Sequence, residues 1–419
     1  MFSGEPSEMS DHDRSEFDRR EFLQAGAAVT AASALTLGAG STGLAQDTGA
    51  KPILPKRKLG KTGVEVTILN AGTGGWRDAA ASPRLLRAAY ASGIRYLDTA
   101  KLYGTEPAIA SFFKAVPEAK KDTFVVTKDI PNKTPKELIA KLDERLETLQ
   151  LDSVDMFFFH GLGDNHDTDT CLEFLKGKDF REMADTIKKS GKAKFIGFSC
   201  HNKDLAIMLE TAAAANVVDA IMVKYNAFAP KDHPFNKALD ACHAKNIGLI
   251  SMKQMVGSES MLSNIASKLP QFKDKGLQPY EMLLHAIWTD ERISTSCVSL
   301  KNETQIAEGA HAARTFKPLE KAEMDQIHQI YLASKPTHCA LCDGSCSRAA
   351  GTDANLGDLT RYLAYHEHNG DRAEARRLYS EMADSARDWK GADLAAAHRA
   401  CPTHLDFAKL LPRVDEYLA

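Results

Sequence analysis

The chain has 419 residues, 43% hydrophobic and 26% charged, an ordinary globular composition that allows one large domain and a smaller appendage. With 53 basic against 56 acidic residues the formal net charge is −3, so no global field draws it to nucleic acid or anionic lipid, and a small-molecule ligand is expected. No low-complexity tract or short repeat stands out.

Residues 1–45 differ from the rest. A polar, charged start leads to Arg19-Arg20-Glu21-Phe22-Leu23 and then to small and apolar residues from Ala25 to Ala45. This resembles a twin-arginine export signal. No charge interrupts Ala25 to Ala45 to give an amphipathic helix its polar face, and the Ala, Gly, Ser and Thr content makes a weak membrane span. Gly43-Leu44-Ala45 offers small residues for cleavage before Gln46, although an uncleaved anchor is the alternative. The resemblance implies the export machinery as a partner and a periplasmic or extracytoplasmic location. No later segment is apolar and long enough to span a bilayer, so no stable membrane span is expected after cleavage.

From Arg57 to Thr67 two short strands turning at Gly60 to Gly63 form an expected hairpin that could plug a barrel end. Compact apolar runs then alternate with helical patterns: Ile68 to Thr73, Ile94 to Ala100, Phe124 to Lys128, Val154 to His160, Lys194 to Ser199, Ala220 to Asn226, Gly248 to Lys253 and Ser294 to Leu300. Between them, stretches such as Thr134 to Leu149 repeat Leu138, Ile139, Leu142, Leu146 and Leu149 at helical spacing. Eight buried strands, each followed by a helix, predict an α/β fold, a closed (β/α)₈ TIM barrel over residues 46–335.

In such a barrel the site is built at the C-terminal strand ends. Asp98 closes the second run, Tyr103 follows it, Lys128 closes the third and His160 the fourth. Charged groups behind Val125-Val126-Thr127 and Phe157-Phe158-Phe159 are costly to bury alone, and one shared mouth would pair them. Reducing a carbonyl requires a proton donor where negative charge develops, and a phenol holds its proton at neutral pH. Tyr103 suits the acid, Lys128 the cation that stabilises its phenolate, Asp98 the carboxylate that keeps the lysine in place, and His160 the group that orients the carbonyl. Hydride must come from a cofactor.

Leu97-Asp98-Thr99-Ala100-Lys101-Leu102-Tyr103-Gly104 resembles the second-strand signature of aldo/keto reductases, and Lys128 and His160 fall where that family carries them. The resemblance runs from about Arg57 to Lys335 and includes Arg57-Lys58-Leu59-Gly60-Lys61-Thr62-Gly63 and Gly197-Phe198-Ser199. It implies an NAD(P)(H)-dependent oxidoreductase acting on a small-molecule carbonyl or alcohol. It also implies cofactor contacts at Ser199, Cys200, Met222, Tyr225, Lys253, Leu300 and Lys301. Two of these depart from the family, since Cys200 stands for its Asn and Met222 for its Gln. Only Lys301 supplies a cation after the last strand, so NADP is favoured by family custom alone. These departures motivate an alternative, an exported non-catalytic barrel binding protein that has lost nicotinamide exchange.

Four of the eight cysteines concentrate in residues 336–419, expected to form a small α-helical, ferredoxin-like extension. Cys339-x₂-Cys342-x₃-Cys346, followed by Cys401-Pro402, resembles the iron–sulfur tail of an aldo/keto reductase subgroup and implies one [4Fe–4S] cluster. Zinc and two disulfides are the rivals. Cys242 and Cys297, by contrast, read as small buried hydrophobes of the barrel. The tail is expected to be helical over Leu356 to His368, Arg372 to Arg387 and Leu394 to Arg399.

Overall fold

The computed structural model describes residues 52–419 except 77–81, 131–134, 163–166, 228–231, 255–258, 335–336, 338, 340–343 and 369–371. The export-signal region and Cys342 lie outside the described residues. Chain order begins with a hairpin, β1 (Lys56–Lys58) and β2 (Glu65–Thr67), paired antiparallel with Arg57 opposite Val66. There follow β3 (Leu69–Gly72), β4 (Tyr96–Asp98), β5 (Phe124–Asp129), β6 (Val154–Phe159), β7 (Ala193–Cys200), β8 (Ala220–Lys224), β9 (Gly248–Met252) and β10 (Ile293–Val298). These eight pair in parallel in chain order, and β10 closes on β3 through Ser296 opposite Leu69. The expected closed (β/α)₈ barrel is present.

Strand and helix formation follow from residue type. All six positions of β5 are buried, as a strand covered on both faces requires, and its Phe-Val-Val-Thr start favours extended backbone. Helix Pro135–Leu149 opens on proline, whose missing N–H is no loss in a first turn, and buries Leu138, Leu142, Leu146 and Leu149 against the sheet. Inside the barrel Tyr96, Phe124, Val126, Met156, Phe158, Met222 and Ile250 pack as one cluster, which Leu59 and Val66 of the hairpin join from below. Gly60 permits this plug. Its φ is +50°, and a Cβ there would lie 2.3 Å from the backbone nitrogen of Gly248.

The tail is helical and has its own core. Leu356, Leu359, Leu363, Ala397, Leu405, Phe407, Leu410, Leu411 and Val414 cluster with Cys339, Cys346 and Cys401. The expected helix Arg372 to Arg387 is divided into Arg372–Ser380 and Asp384–Arg387. Ala383 is extended, so the second piece folds back, with Arg387 over the Tyr379 ring and the Ala386 carbonyl accepting from Asn355 N–H. Two helices, Ser345–Ala349 and Phe407–Leu418, go beyond the elements read from sequence. Among the described residues no helix is long and apolar enough to cross a membrane.

Candidate active site

The mouth of the barrel is assembled by neighbouring strands. Asp98 ends β4, Lys128 sits next to last in β5, and His160 follows β6 directly, its N–H donating to the Asp129 carbonyl at 2.8 Å. Tyr103 ends the single 3₁₀ turn Lys101–Tyr103. Side chains alternate along a strand, so Lys128 points inward while Thr127 and Asp129 point out. On the outer side Thr127 donates to Glu106 at 2.6 Å and Arg145 donates to Glu106 at 3.0 Å, with Asp129 3.5 Å from Arg145. That anchorage fixes β5 from behind.

Lys128 and Asp98 are 0% and 1% exposed and form an ion pair through Asp98 Oδ1. The Lys128 ammonium also donates to the Thr99 carbonyl at 2.9 Å and lies 4.9 Å from the centre of the Tyr103 ring. Tyr103 Oη and His160 Nε2 are 3.3 Å apart, with the two rings edge to face. Sequence reasoning missed the parts that hold this geometry. Thr105 Oγ1 lies 2.7 Å from Thr73 Oγ1 and 2.8 Å from Thr99 Oγ1, tying the Tyr103 loop to β3 and β4. Gly74 leaves room for the phenol, since a Cβ there would lie 2.9 Å from Tyr103 Cζ.

Burial pushes the Tyr103 phenol up to about 12, against the downward pull of the Lys128 charge. Burial alone would lower the Lys128 ammonium, but Asp98 and Tyr103 outweigh it and hold it above its usual range. Burial raises the Asp98 carboxyl, opposed by Lys128. The result is a firmly protonated phenol beside a fixed cation and an imidazole, a set able to donate a proton to a developing oxyanion.

The seven expected cofactor residues are distributed differently. Ser199 Oγ accepts from Gly161 N–H at 3.0 Å near the strand ends. Cys200 packs outward, its sulfur 3.6 Å from Met208 in the Leu205–Ala215 helix. Met222 belongs to the apolar barrel interior. Tyr225 is buried and donates to Asp290 at 2.8 Å, and Leu300 is buried with its carbonyl accepting from Trp76 Nε1. Lys253, exposed and at φ +58°, reaches to 5.8 Å from the Tyr365 ring of the tail. Lys301 is exposed, its N–H donating to the Gln305 side chain.

Cys339, Cys346 and Cys401 are 8%, 3% and 4% exposed in the tail core. Burial, reinforced by the other two sulfurs, pushes the Cys346 thiol up to about 12. Among the described residues no group of three or more side chains could hold a metal ion. The tail meets the barrel mouth through Arg348, which donates to Asp204 beyond β7 at 2.9 Å.

The closed eight-stranded parallel barrel defines the fold class. Residues 69–276 match the model of the aldo/keto reductase family. Residues 16–36 match the signal sequence of the twin-arginine translocation pathway, which points to export and a periplasmic or extracytoplasmic location. The chain is 29% identical over 194 residues to "Aldo-keto reductase str7" of Strobilurus tenacellus, covering 42% of this chain and 53% of that protein. It therefore spans about half the length of that relative. It is 24% identical over 263 residues to "Protein REDOX 2" of Catharanthus roseus, covering 57% of this chain and 76% of the other. In fold it is similar to an aldo/keto reductase of Brucella melitensis, with a TM-score of 0.52, 17% identity, and coverage of 66% of this chain and 99% of that one. None of these likenesses favours the non-catalytic alternative.

Proposed function

We propose that the barrel is an aldo/keto reductase-type oxidoreductase that interconverts a small-molecule carbonyl and its alcohol, using NAD(P)(H). The observation that carries the reading is the contact of Tyr103 with both His160 and the buried Lys128–Asp98 pair at one barrel mouth. Tyr103 donates the proton to the carbonyl oxygen. Lys128 stabilises the phenolate left behind, Asp98 keeps the ammonium charged and in place, and His160 orients the carbonyl. A bound nicotinamide dinucleotide would supply the hydride. Ser199, with a hydroxyl proton left to donate, and the exposed cations Lys253 and Lys301 would hold it. Met222 and Cys200 offer it no strong hydrogen bond, so binding would rest on fewer polar contacts than the family uses. The test is turnover of a carbonyl panel with NADH and NADPH, comparing the exported form with its Tyr103→Phe variant. Turnover that Tyr103→Phe abolishes is expected. Absence of both nicotinamide binding and Tyr103-dependent turnover would overturn the reading.

In the same reading the catalytic barrel occupies residues 46–335, and the tail, residues 336–419, carries one [4Fe–4S] cluster on Cys339, Cys342, Cys346 and Cys401, with zinc as the alternative metal. What supports this is the spacing Cys339-x₂-Cys342-x₃-Cys346 with Cys401-Pro402, together with the place of Cys339, Cys346 and Cys401 in one buried tail core. Iron, acid-labile sulfide and zinc analysis of anaerobically purified protein decides it. A colourless preparation free of both metals would sink the metal centre.

A further inference from the structure

Three buried threonines converge behind the active-site mouth. Thr105 follows Tyr103 by two residues, and its Oγ1 lies 2.7 Å from Thr73 Oγ1 and 2.8 Å from Thr99 Oγ1. Thr105 also stands at the N-cap of the helix Glu106–Ala115, where a threonine hydroxyl ordinarily accepts from a first-turn N–H. No such bond forms here. The backbone of Thr105 is already helical (φ −96°, ψ −6°), and its hydroxyl is directed to the two strands instead. A capping residue that leaves its cap bond unmade breaks a local rule, and it does so in the loop that carries the proton donor.

The order of the protons follows from counting. A threonine hydroxyl has one proton to give and two lone pairs with which to accept. Thr73 gives its proton to the Asp98 carbonyl at 3.0 Å, so it accepts from Thr105. Thr105 has then spent its own proton, so Thr99 donates to it. The relay therefore runs from Thr99 through Thr105 and Thr73 to the Asp98 carbonyl, which also accepts from the Thr73 N–H at 2.9 Å. Its two ends are the residues that hold Lys128, whose ammonium pairs with Asp98 Oδ1 and donates to the Thr99 carbonyl at 2.9 Å. Its middle member belongs to the Tyr103 loop, and Gly74, next to Thr73, leaves the space that the phenol occupies.

We propose that Thr105 is a positioning residue of the active site: by accepting from Thr99 and donating to Thr73, its hydroxyl locks the loop that carries Tyr103 in register with the Asp98–Lys128 pair. This deepens the reductase reading and rests on it for its kinetic consequences, whereas the order of the hydrogen bonds rests on geometry alone. Valine in place of Thr105 keeps the volume but orphans the Thr99 proton and removes the donor to Thr73. The loop is then free to settle elsewhere, and the Tyr103 ring loses its fixed place beside Lys128 and His160.

The experiment has two arms. In the first, Thr105→Val, Thr105→Ser and Thr99→Val are compared with wild type for kcat and KM in carbonyl reduction. Misplacing a reacting group by about 1 Å can cost about 10²-fold, so Thr105→Val should lower kcat about tenfold or more with KM little changed. Thr105→Ser, which keeps the hydroxyl, should return kcat towards wild type, and Thr99→Val, which breaks one link and leaves the other, should fall between. Equal loss in Ser and Val assigns the effect to packing of the methyl group, and wild-type kcat in Val leaves the hydroxyl no part; either outcome overturns the proposal. In the second arm the protein carries tyrosine labelled with carbon-13 at Cζ, and the Tyr103 resonance is identified by its absence in Tyr103→Phe. It should move in Thr105→Val, move less in Thr99→Val and stay near its wild-type position in Thr105→Ser. A resonance that Thr105→Val leaves in place overturns the proposal, and if that variant does not fold, an unmoved resonance in Thr99→Val does so. If wild type turns over no carbonyl, the reductase reading fails while the resonance still decides the role of Thr105.

Discussion

Lys224 at the end of β8 and Asp358 in the tail helix Leu356–His368 form an ion pair at 3.6 Å, and Asp358 is shared with Arg361 at 2.9 Å. All three side chains are buried, with exposures of 3%, 8% and 3%. One carboxylate thus neutralises two interior cations where the tail meets the barrel. Replacing it strands both, and breaking a buried pair costs about 3–5 kcal/mol. Asp358→Asn should accordingly unfold at markedly lower denaturant concentration, whereas Lys224→Met, which removes one of two cations, should cost less. Equal stability of Asp358→Asn and wild type in urea would show that the pair contributes nothing to tail docking.

Tyr103→Phe removes the proton donor and little volume. General acid catalysis is worth about 10²–10⁴-fold, so kcat should fall by that factor while the affinity for NAD(P)H, followed by quenching of protein fluorescence, stays within about twofold. A variant that keeps wild-type turnover would assign the proton to another group, with His160 the first to examine.

The position of the phenol sets a pH dependence. An acid must carry its proton to act, so activity falls as pH rises through its pKa, and with Tyr103 pushed up to about 12 that loss lies far on the alkaline side. Carbonyl reduction should then be flat on this limb up to about pH 10. Lys128 pulls the phenol down, so Lys128→Met should move the alkaline limb still higher while lowering the plateau, because the phenolate loses its counter-charge. A wild-type alkaline limb centred near about pH 8 would contradict the buried phenol.

The barrel and its four mouth residues were legible because two strong regularities coincide: each apolar run is strand-length, and polar residues at strand ends must share one mouth. The supporting residues were not. Cys297 reads as an apolar neighbour of Val298, and only closure of β10 on β3 brings its sulfur against Gly72. Lys224 reads as an interior residue of the strand Ala220 to Asn226, since its partner Asp358 lies in a segment whose docking no local pattern encodes. Phe407–Leu418 does carry a helical signal in Phe407, Leu410, Leu411, Val414 and Leu418, all buried, but Pro412 sits in its interior and breaks the pattern. Arg372 to Arg387 has continuous helical composition, and the break over residues 381–383, after which Arg387 lies over the Tyr379 ring, has no signal in it.

Gly197 shows how tightly the interior is built beneath the site. It faces inward on β7, two residues before Ser199, and a Cβ there would lie 2.2 Å from the Ala220 carbonyl oxygen and 2.3 Å from Phe158 Cε1. The two clashes differ in kind. A phenylalanine ring can be trimmed, but the Ala220 carbonyl belongs to β8, whose register with β7 places Ala220 opposite Gly197. Overpacking of a core costs about 1–3 kcal/mol when side chains can shift, and a backbone obstacle should exceed that range. Gly197→Ala is therefore expected to destabilise by more than about 3 kcal/mol. Adding Phe158→Leu should recover only part of the loss, because the carbonyl contact persists. Full rescue by the double variant in thermal denaturation would place the whole constraint in the ring and none in the strand register.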